Sequence, residues 1–88
     1  MRILSFRFEA FEEYQEWIKT DKKIALKIGT LIQDILKNPF TGLGKPEHLK
    51  GNFKGYWSRR ISDEHRLIYK ITDESIIIFA CKLHYNDK

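Results

Sequence analysis

Between residues 45 and 70 the chain gathers seven cations, Lys45, Lys50, Lys54, Arg59, Arg60, Arg66 and Lys70, against three acids, Glu47, Asp63 and Glu64. That excess equals the net charge of the whole protein, +4, and the remaining charges cancel. Cations concentrated in one segment and interleaved with Tyr56 and Trp57 form the footprint of a polyanion binder. Lys45, Lys54 and Arg59 belong to that footprint as expected substrate contacts. The single acid in its loop half, Glu47, is out of keeping with its neighbours. It is the first candidate for chemistry, as a base.

Bulk composition narrows the setting. Eighty-eight residues make one domain, 1–88, with one modest core. A content of 42% hydrophobic and 14% aromatic residues excludes a disordered tail. The single cysteine, Cys81, has no partner for an internal disulfide, so nothing suggests an oxidising compartment. The longest apolar run, residues 76–81, is far too short to cross a bilayer, and the N-terminus lacks the pattern of a signal peptide. The expected location is the cytoplasm, with no membrane partner. A basic domain of this size suits nucleic acid or the ribosome, although charge alone fits a merely basic soluble domain equally well.

The elements that must position these residues follow from periodicity. Residues 2–8 read as a strand. From Glu9 the period becomes helical, with Phe11, Tyr14, Trp17 and Ile18 on one face and Glu9, Glu12, Glu13 and Glu16 on the other. Thr20 and Asp21 offer a cap for a second helix whose stripe is Ile24, Ile28, Leu31, Ile32 and Ile35. Gly29 inside it suggests a close packing neighbour. Asn38-Pro39 ends the helix. Residues 38–55 hold four of the five glycines and both prolines, a long loop of the kind that carries function. Residues 56–62, 65–72 and 75–83 then alternate or run apolar as three meandering strands, the last expected to be central. The predicted fold is α+β: an antiparallel sheet with a two-helix hairpin on one face and the other face left for function.

One constraint concerns the arginines. A two-residue turn at Asp63-Glu64 places Arg60 and Arg66 on opposite faces of the sheet. A three-residue turn over residues 62–64 places them opposite each other on one face; service to a single phosphate requires that odd length or a bulge.

The run GKPEHLKGNFKGYWSRRISDEHRLIY, with the late ACKLHY, resembles the YoeB toxins of the RelE/ParE superfamily, the toxin halves of bacterial type II toxin–antitoxin pairs. The resemblance extends back through EEYQEW, TDKK and NPFTG and so covers nearly the whole chain. It implies a fold akin to microbial ribonucleases and cleavage of mRNA in the A site of the 70S ribosome, without metal or other cofactor. It also implies inhibition by a cognate antitoxin whose disordered C-terminal segment wraps the toxin; a homodimer is a further possible assembly. By residue, the resemblance makes Glu47 the general base, His84 the general acid and Arg66 the clamp on the scissile phosphate. Lys50 and Arg60 become supporting cations, and Tyr85 orders the site beside the acid. Arg7 stands where the family commonly has a serine cap.

These residue types suit the reaction. RNA is cut when its 2′-hydroxyl loses a proton and attacks the adjacent phosphorus, which needs a base, an acid for the leaving oxygen and cations for the developing charge. Histidine exchanges protons near neutral pH, and arginine offers a permanent planar fork to two oxygens. Singly, each residue has a plainer explanation: an acid in a basic loop as a solvated ion-pair partner, a near-terminal histidine as a polar end, hairpin arginines as surface charge. The spaced motif as a whole favours the catalytic reading. For His48 and His65 the plainer explanation prevails, and Cys81 is expected to be a small core residue. The histidines lie too far apart for a recognisable metal motif. The rival readings are an RNA- or ribosome-binding inhibitor that does not cut, and a ParE-like gyrase poison.

Overall fold

The computed structural model describes residues 1–83; His84 and Tyr85, the expected acid and its neighbour, lie outside them. The elements are β1 (Ile3–Phe6), α1 (Phe8–Thr20), α2 (Lys22–Lys37), β2 (Glu47–His48), a 3-10 turn (Gly51–Phe53), β3 (Tyr56–Arg60), β4 (Arg66–Ile71) and β5 (Ser75–Leu83). The sheet order is β1-β5-β4-β3-β2. From β2 to β5 every pairing is antiparallel, whereas β1 lies parallel to β5 at the edge, so the sheet is mixed. The helix hairpin carries the chain over one face before the meander returns it to β1. The middle strand is therefore β4, and β5 sits next to it, paired on both sides. That position explains its apolar sequence: Ile76, Ile78 and Cys81 are fully buried.

Local chemistry accounts for the helix ends. The Asp21 carboxylate accepts a hydrogen bond from the Ile24 N–H at 3.3 Å, capping α2. At the other end the Asn38 N–H donates to the Asp34 carbonyl at 2.7 Å, and Pro39 prevents continuation. Ile28, Leu31, Ile32 and Ile35 are buried against the sheet, as the stripe predicts. The N-terminus of α1 has no side-chain cap; Arg7 stands there in extended conformation.

The inward face of α1 differs from the expected one. Ala10, Glu13, Tyr14 and Trp17 turn toward β5, while Phe11 and Ile18 remain 46% and 37% exposed. Glu13, expected in solvent, faces inward because β5 presents it with free backbone donors. Its Oε1 accepts from the N–H groups of Cys81 at 2.8 Å and Lys82 at 3.1 Å. Trp17 adds a hydrogen bond from Nε1 to the Cys81 carbonyl at 2.8 Å.

The main core lies between the hairpin and the sheet. A smaller cluster covers part of the other face, where Leu49, Ile68 and Ala80 are buried beneath Phe53, Tyr56 and Phe79. The loop thus packs down through Leu49 and Phe53, while Arg60 and Arg66 lie on the same face toward the other end of β3 and β4.

Gly29 has no close neighbour after all, since a Cβ added there meets nothing within 4 Å. Gly29→Ala should therefore stabilise the protein by up to about 1 kcal/mol through helix propensity. Thermal denaturation should show a midpoint several degrees higher, and a lower midpoint would point to a contact that this packing does not contain.

Candidate functional site

The β3–β4 connection decides where the arginines point. Arg60 pairs with Arg66, and the Ile61 N–H donates to the His65 carbonyl at 3.0 Å, so the turn has the odd length that one shared phosphate requires. The Ser62 hydroxyl accepts from the His65 N–H at 3.1 Å and holds the turn closed. On the other side of β3, Glu47 pairs with Ser58. Glu47, Ser58, Arg60 and Arg66 therefore share the face opposite the helices. Diagonal neighbours such as Glu47 and Arg60 have Cα atoms roughly 7–8 Å apart, and Arg66 stands one strand spacing beyond, about 5 Å. That leaves room for one phosphodiester among three long side chains.

Arg66 is half-buried and braced by the turn, donating from Nη1 to the carbonyls of Ser62 at 2.9 Å and His65 at 3.2 Å. Among the described residues every hydrogen bond of its guanidinium runs from Nη1. Glu47, Lys50 and Arg60 are exposed, and among the described residues Glu47 makes no ion pair. Lys45 and Lys54 are also exposed. Lys45 holds a left-handed backbone at φ 53°, two residues before Glu47. For a residue with a Cβ that conformation costs about 1 kcal/mol or more, and it turns the loop into β2.

Arg59 leaves the expected set of substrate contacts. Alternation along β3 sends it to the helix side, where it is 0% exposed. Its Nη1 donates to Asp34 Oδ2 at 2.5 Å and the Leu43 carbonyl at 3.1 Å. Its Nη2 reaches the carbonyls of Asn38 at 2.6 Å and Thr41 at 3.0 Å, and Nε reaches the Tyr69 hydroxyl at 3.0 Å. A buried charge persists only when paired and fully hydrogen-bonded, and Arg59 meets that condition by tying the loop to the end of α2. Gly44 fits beside it because a Cβ there, at φ +78°, would come within 3.1 Å of the Arg60 carbonyl oxygen and of Arg59 Cβ. The Gly44 carbonyl in turn accepts from the Arg60 N–H at 2.7 Å. The Leu43 N–H, and next the Arg59 guanidinium, hold the Asp34 carboxyl below its ordinary range. Burial pushes the Tyr69 phenol up despite the guanidinium beside it.

The bystanders fall where expected. His48 packs on Trp57 with ring centres 5.3 Å apart, and His65 meets Trp17 edge-on at 5.0 Å. Cys81 is buried, and that burial, reinforced by the Glu13 carboxylate, pushes its thiol up to about 12, which removes it as a nucleophile. Among the described residues no three His, Cys, Asp or Glu side chains converge as metal ligands. Leu83 pairs with Arg66, and His84 follows it in sequence.

A family model described as the YoeB-like toxin of bacterial type II toxin–antitoxin systems matches residues 6–85. Toxin YoeB of Escherichia coli (strain K12) is 53% identical over 77 residues, spanning 88% of this chain and 92% of the relative. The YoeB dimer from Staphylococcus aureus superposes with a TM-score of 0.89 at 46% identity, covering 96% of this chain and 98% of that one. The heterotetrameric YoeB-YefM toxin-antitoxin complex from the same species gives 0.87 at 45% identity, with coverage of 97% and 99%.

The Arg59 network yields two expectations. Arg59→Ala should destabilise the fold by about 3–5 kcal/mol, the usual cost of removing one partner of a buried pair, with denaturant midpoints as the readout. Asp34 titrates below its unfolded value, so its contribution is complete above about pH 4 and fades as pH falls through the depressed native value. The midpoint gap between the parent and Asp34→Asn should therefore be wide at pH 7 and close toward pH 3; a gap independent of pH would contradict this.

Proposed function

The chain belongs to the YoeB-like toxins of bacterial type II toxin–antitoxin systems, and from that membership and the site geometry we propose that it is a ribosome-dependent endoribonuclease that cuts mRNA in the A site and halts translation. The observation that supports this most is the register: Arg60 opposite Arg66, with Glu47 on the same face one strand away. In this mechanism Glu47 takes the proton of the 2′-hydroxyl, whose oxygen attacks the adjacent phosphorus. The bond from phosphorus to the 5′ oxygen breaks, and His84 protonates that oxygen. The products are a 2′,3′-cyclic phosphate and a 5′-hydroxyl. Arg66 forks onto the non-bridging oxygens as their charge grows, with Lys50 and Arg60 in support and Tyr85 ordering the acid. Lys45 and Lys54 anchor the flanking backbone. No metal takes part.

Glutamates are weak bases at neutral pH, so positioning has to outweigh basicity here. The decoding centre supplies it by presenting the mRNA strand to an otherwise open site. Free RNA is accordingly a poor substrate, and the protein works in the cytoplasm where its ribosomes are. The partner that silences it is an antitoxin, as in the Staphylococcus aureus YoeB-YefM complex. Its disordered C-terminal segment is acidic where it crosses the open face, neutralising Glu47's cationic neighbours. A homodimer, as in the Staphylococcus aureus relative, is a second assembly.

In cell-free translation, Glu47→Ala, Arg66→Ala and His84→Ala should each slow mRNA cleavage by about 10²-fold or more while ribosome binding persists. The arrested fragments should carry 2′,3′-cyclic or 3′-phosphate ends by mass spectrometry. Arrest with intact mRNA would indicate a binder that does not cut, and DNA breaks with intact mRNA a gyrase poison. Antitoxin capture should weaken steeply as salt rises; a flat response would refute the charge argument.

A further inference from the structure

The last strand does not run in straight register with its neighbour. Tyr69 faces Ile78, but Ile68 faces Ala80 and Arg66 faces Leu83, so β5 carries an additional residue at each of two places. One additional residue turns the following side chains to the opposite face, and a second turns them back. An unshifted ladder continuing from Tyr69 and Ile78 would set Cys81 opposite Arg66. The observed one sets Leu83 there, which draws the chain back by two residues, about 7 Å. Counted along the sequence, His84 then follows the partner of Arg66 directly instead of lying three residues past it.

Each irregularity is held by a side chain from the start of the fold. At the first, Arg7 Nε donates to the Phe79 carbonyl at 3.1 Å, with its guanidinium carbon 4.1 Å from the centre of the Phe79 ring. At the second, Glu13 takes the N–H groups of both Cys81 and Lys82 on one carboxylate oxygen, and Trp17 Nε1 holds the Cys81 carbonyl. A bulge frees backbone groups that a regular ladder would pair. An ionised carboxylate is the strong acceptor that can take two of them at once.

We propose that Glu13 is a positioning residue for the site: by holding the second irregularity of β5 it sets which residue of that strand stands opposite Arg66, and with it how many residues separate that point from the general acid in sequence. The proposal rests on the reading of His84 as that acid. Glu13 itself touches no substrate and acts through the backbone of Cys81 and Lys82.

The test separates proton donation from folding. An mRNA whose scissile linkage carries sulfur in place of the bridging 5′ oxygen expels a thiolate, which needs no proton from an acid. On ribosome-bound message under single-turnover conditions, Glu13→Leu should cut the ordinary linkage at least about ten-fold more slowly and the sulfur linkage within about three-fold of the parent. His84→Ala should show the same pattern. Glu13→Gln, which keeps an acceptor oxygen, should stay within about three-fold of the parent on both. Should Glu13→Leu fail to fold, Glu13→Asp withdraws the oxygen with little loss of volume and is judged by the same ratio. Equal slowing of both linkages by the Glu13 variant, beside a spared sulfur linkage in His84→Ala, overturns this proposal alone. Equal slowing in His84→Ala removes the acid role of His84, and the proposal falls with it.

Discussion

A guanidinium with no exposed surface must find an acceptor for its N–H groups inside the protein, and the placement of Arg59 organises much of the molecule. Its acceptors come from the end of α2, three carbonyls of the following loop and a phenol on β4. Phe40, packed against Trp57, and the buried Leu49 also hold the loop down, and the Arg59 charge fixes the stretch between them. With it, Gly44 reaches the Arg60 backbone and the chain enters β2 in register with β3. Glu47 takes its place on the open face through that sequence of contacts. The buried cation thus serves the site from the opposite side of the sheet.

Two arginines adjacent in sequence therefore have opposite duties. Arg59 faces inward and neutralises Asp34, while Arg60 faces outward beside Arg66. The exposed cationic surface is accordingly smaller than the sequence count suggests, and Arg60 and Arg66 stand together at the end of β3 and β4 away from Tyr56 and Lys70. Concentrating fixed cations around a single acid, on strands rather than on a free loop, limits how far they relax when an anion arrives. On the far side of β4 the same rigidity comes from α1, whose Trp17 and Glu13 grip the irregular backbone of β5.

Much of this was legible from residue order. The Asp21 cap, the apolar stripe of α2 and the burial of Cys81 all follow from local rules that tertiary structure left intact, whereas the stretch read as one loop over 38–55 contains the two-residue strand β2, too short for periodicity to reveal. The pairing of Arg60 with Arg66 was reducible to a choice between two turn lengths, and the structure has the odd one. Arg59 was misassigned although the relevant signal was present, because adjacent strand residues must point to opposite faces and both arginines cannot meet one phosphate. Glu13 was less accessible. The apolar arc of α1 is broad enough to be rotated by a residue, and only the bulged backbone of β5, which periodicity does not reveal, makes a carboxylate welcome inside. The parallel pairing of β1 with β5 likewise depends on how the hairpin returns the chain, not on the residues of either strand.

The account depends on an internal nucleophile, the 2′-hydroxyl of the message, held beside Glu47 while Arg66 grips the adjacent phosphate. The most direct measurement uses a ribosome-bound mRNA with one 2′-deoxynucleotide on the 5′ side of the cut. The account predicts that this message binds as the all-ribose message does and is not cleaved at that linkage, with cleavage at unmodified sites unaffected. Cleavage at the deoxy linkage at a comparable rate would mean that water, not the sugar, attacks, and the roles given to Glu47 and His84 would have to be abandoned.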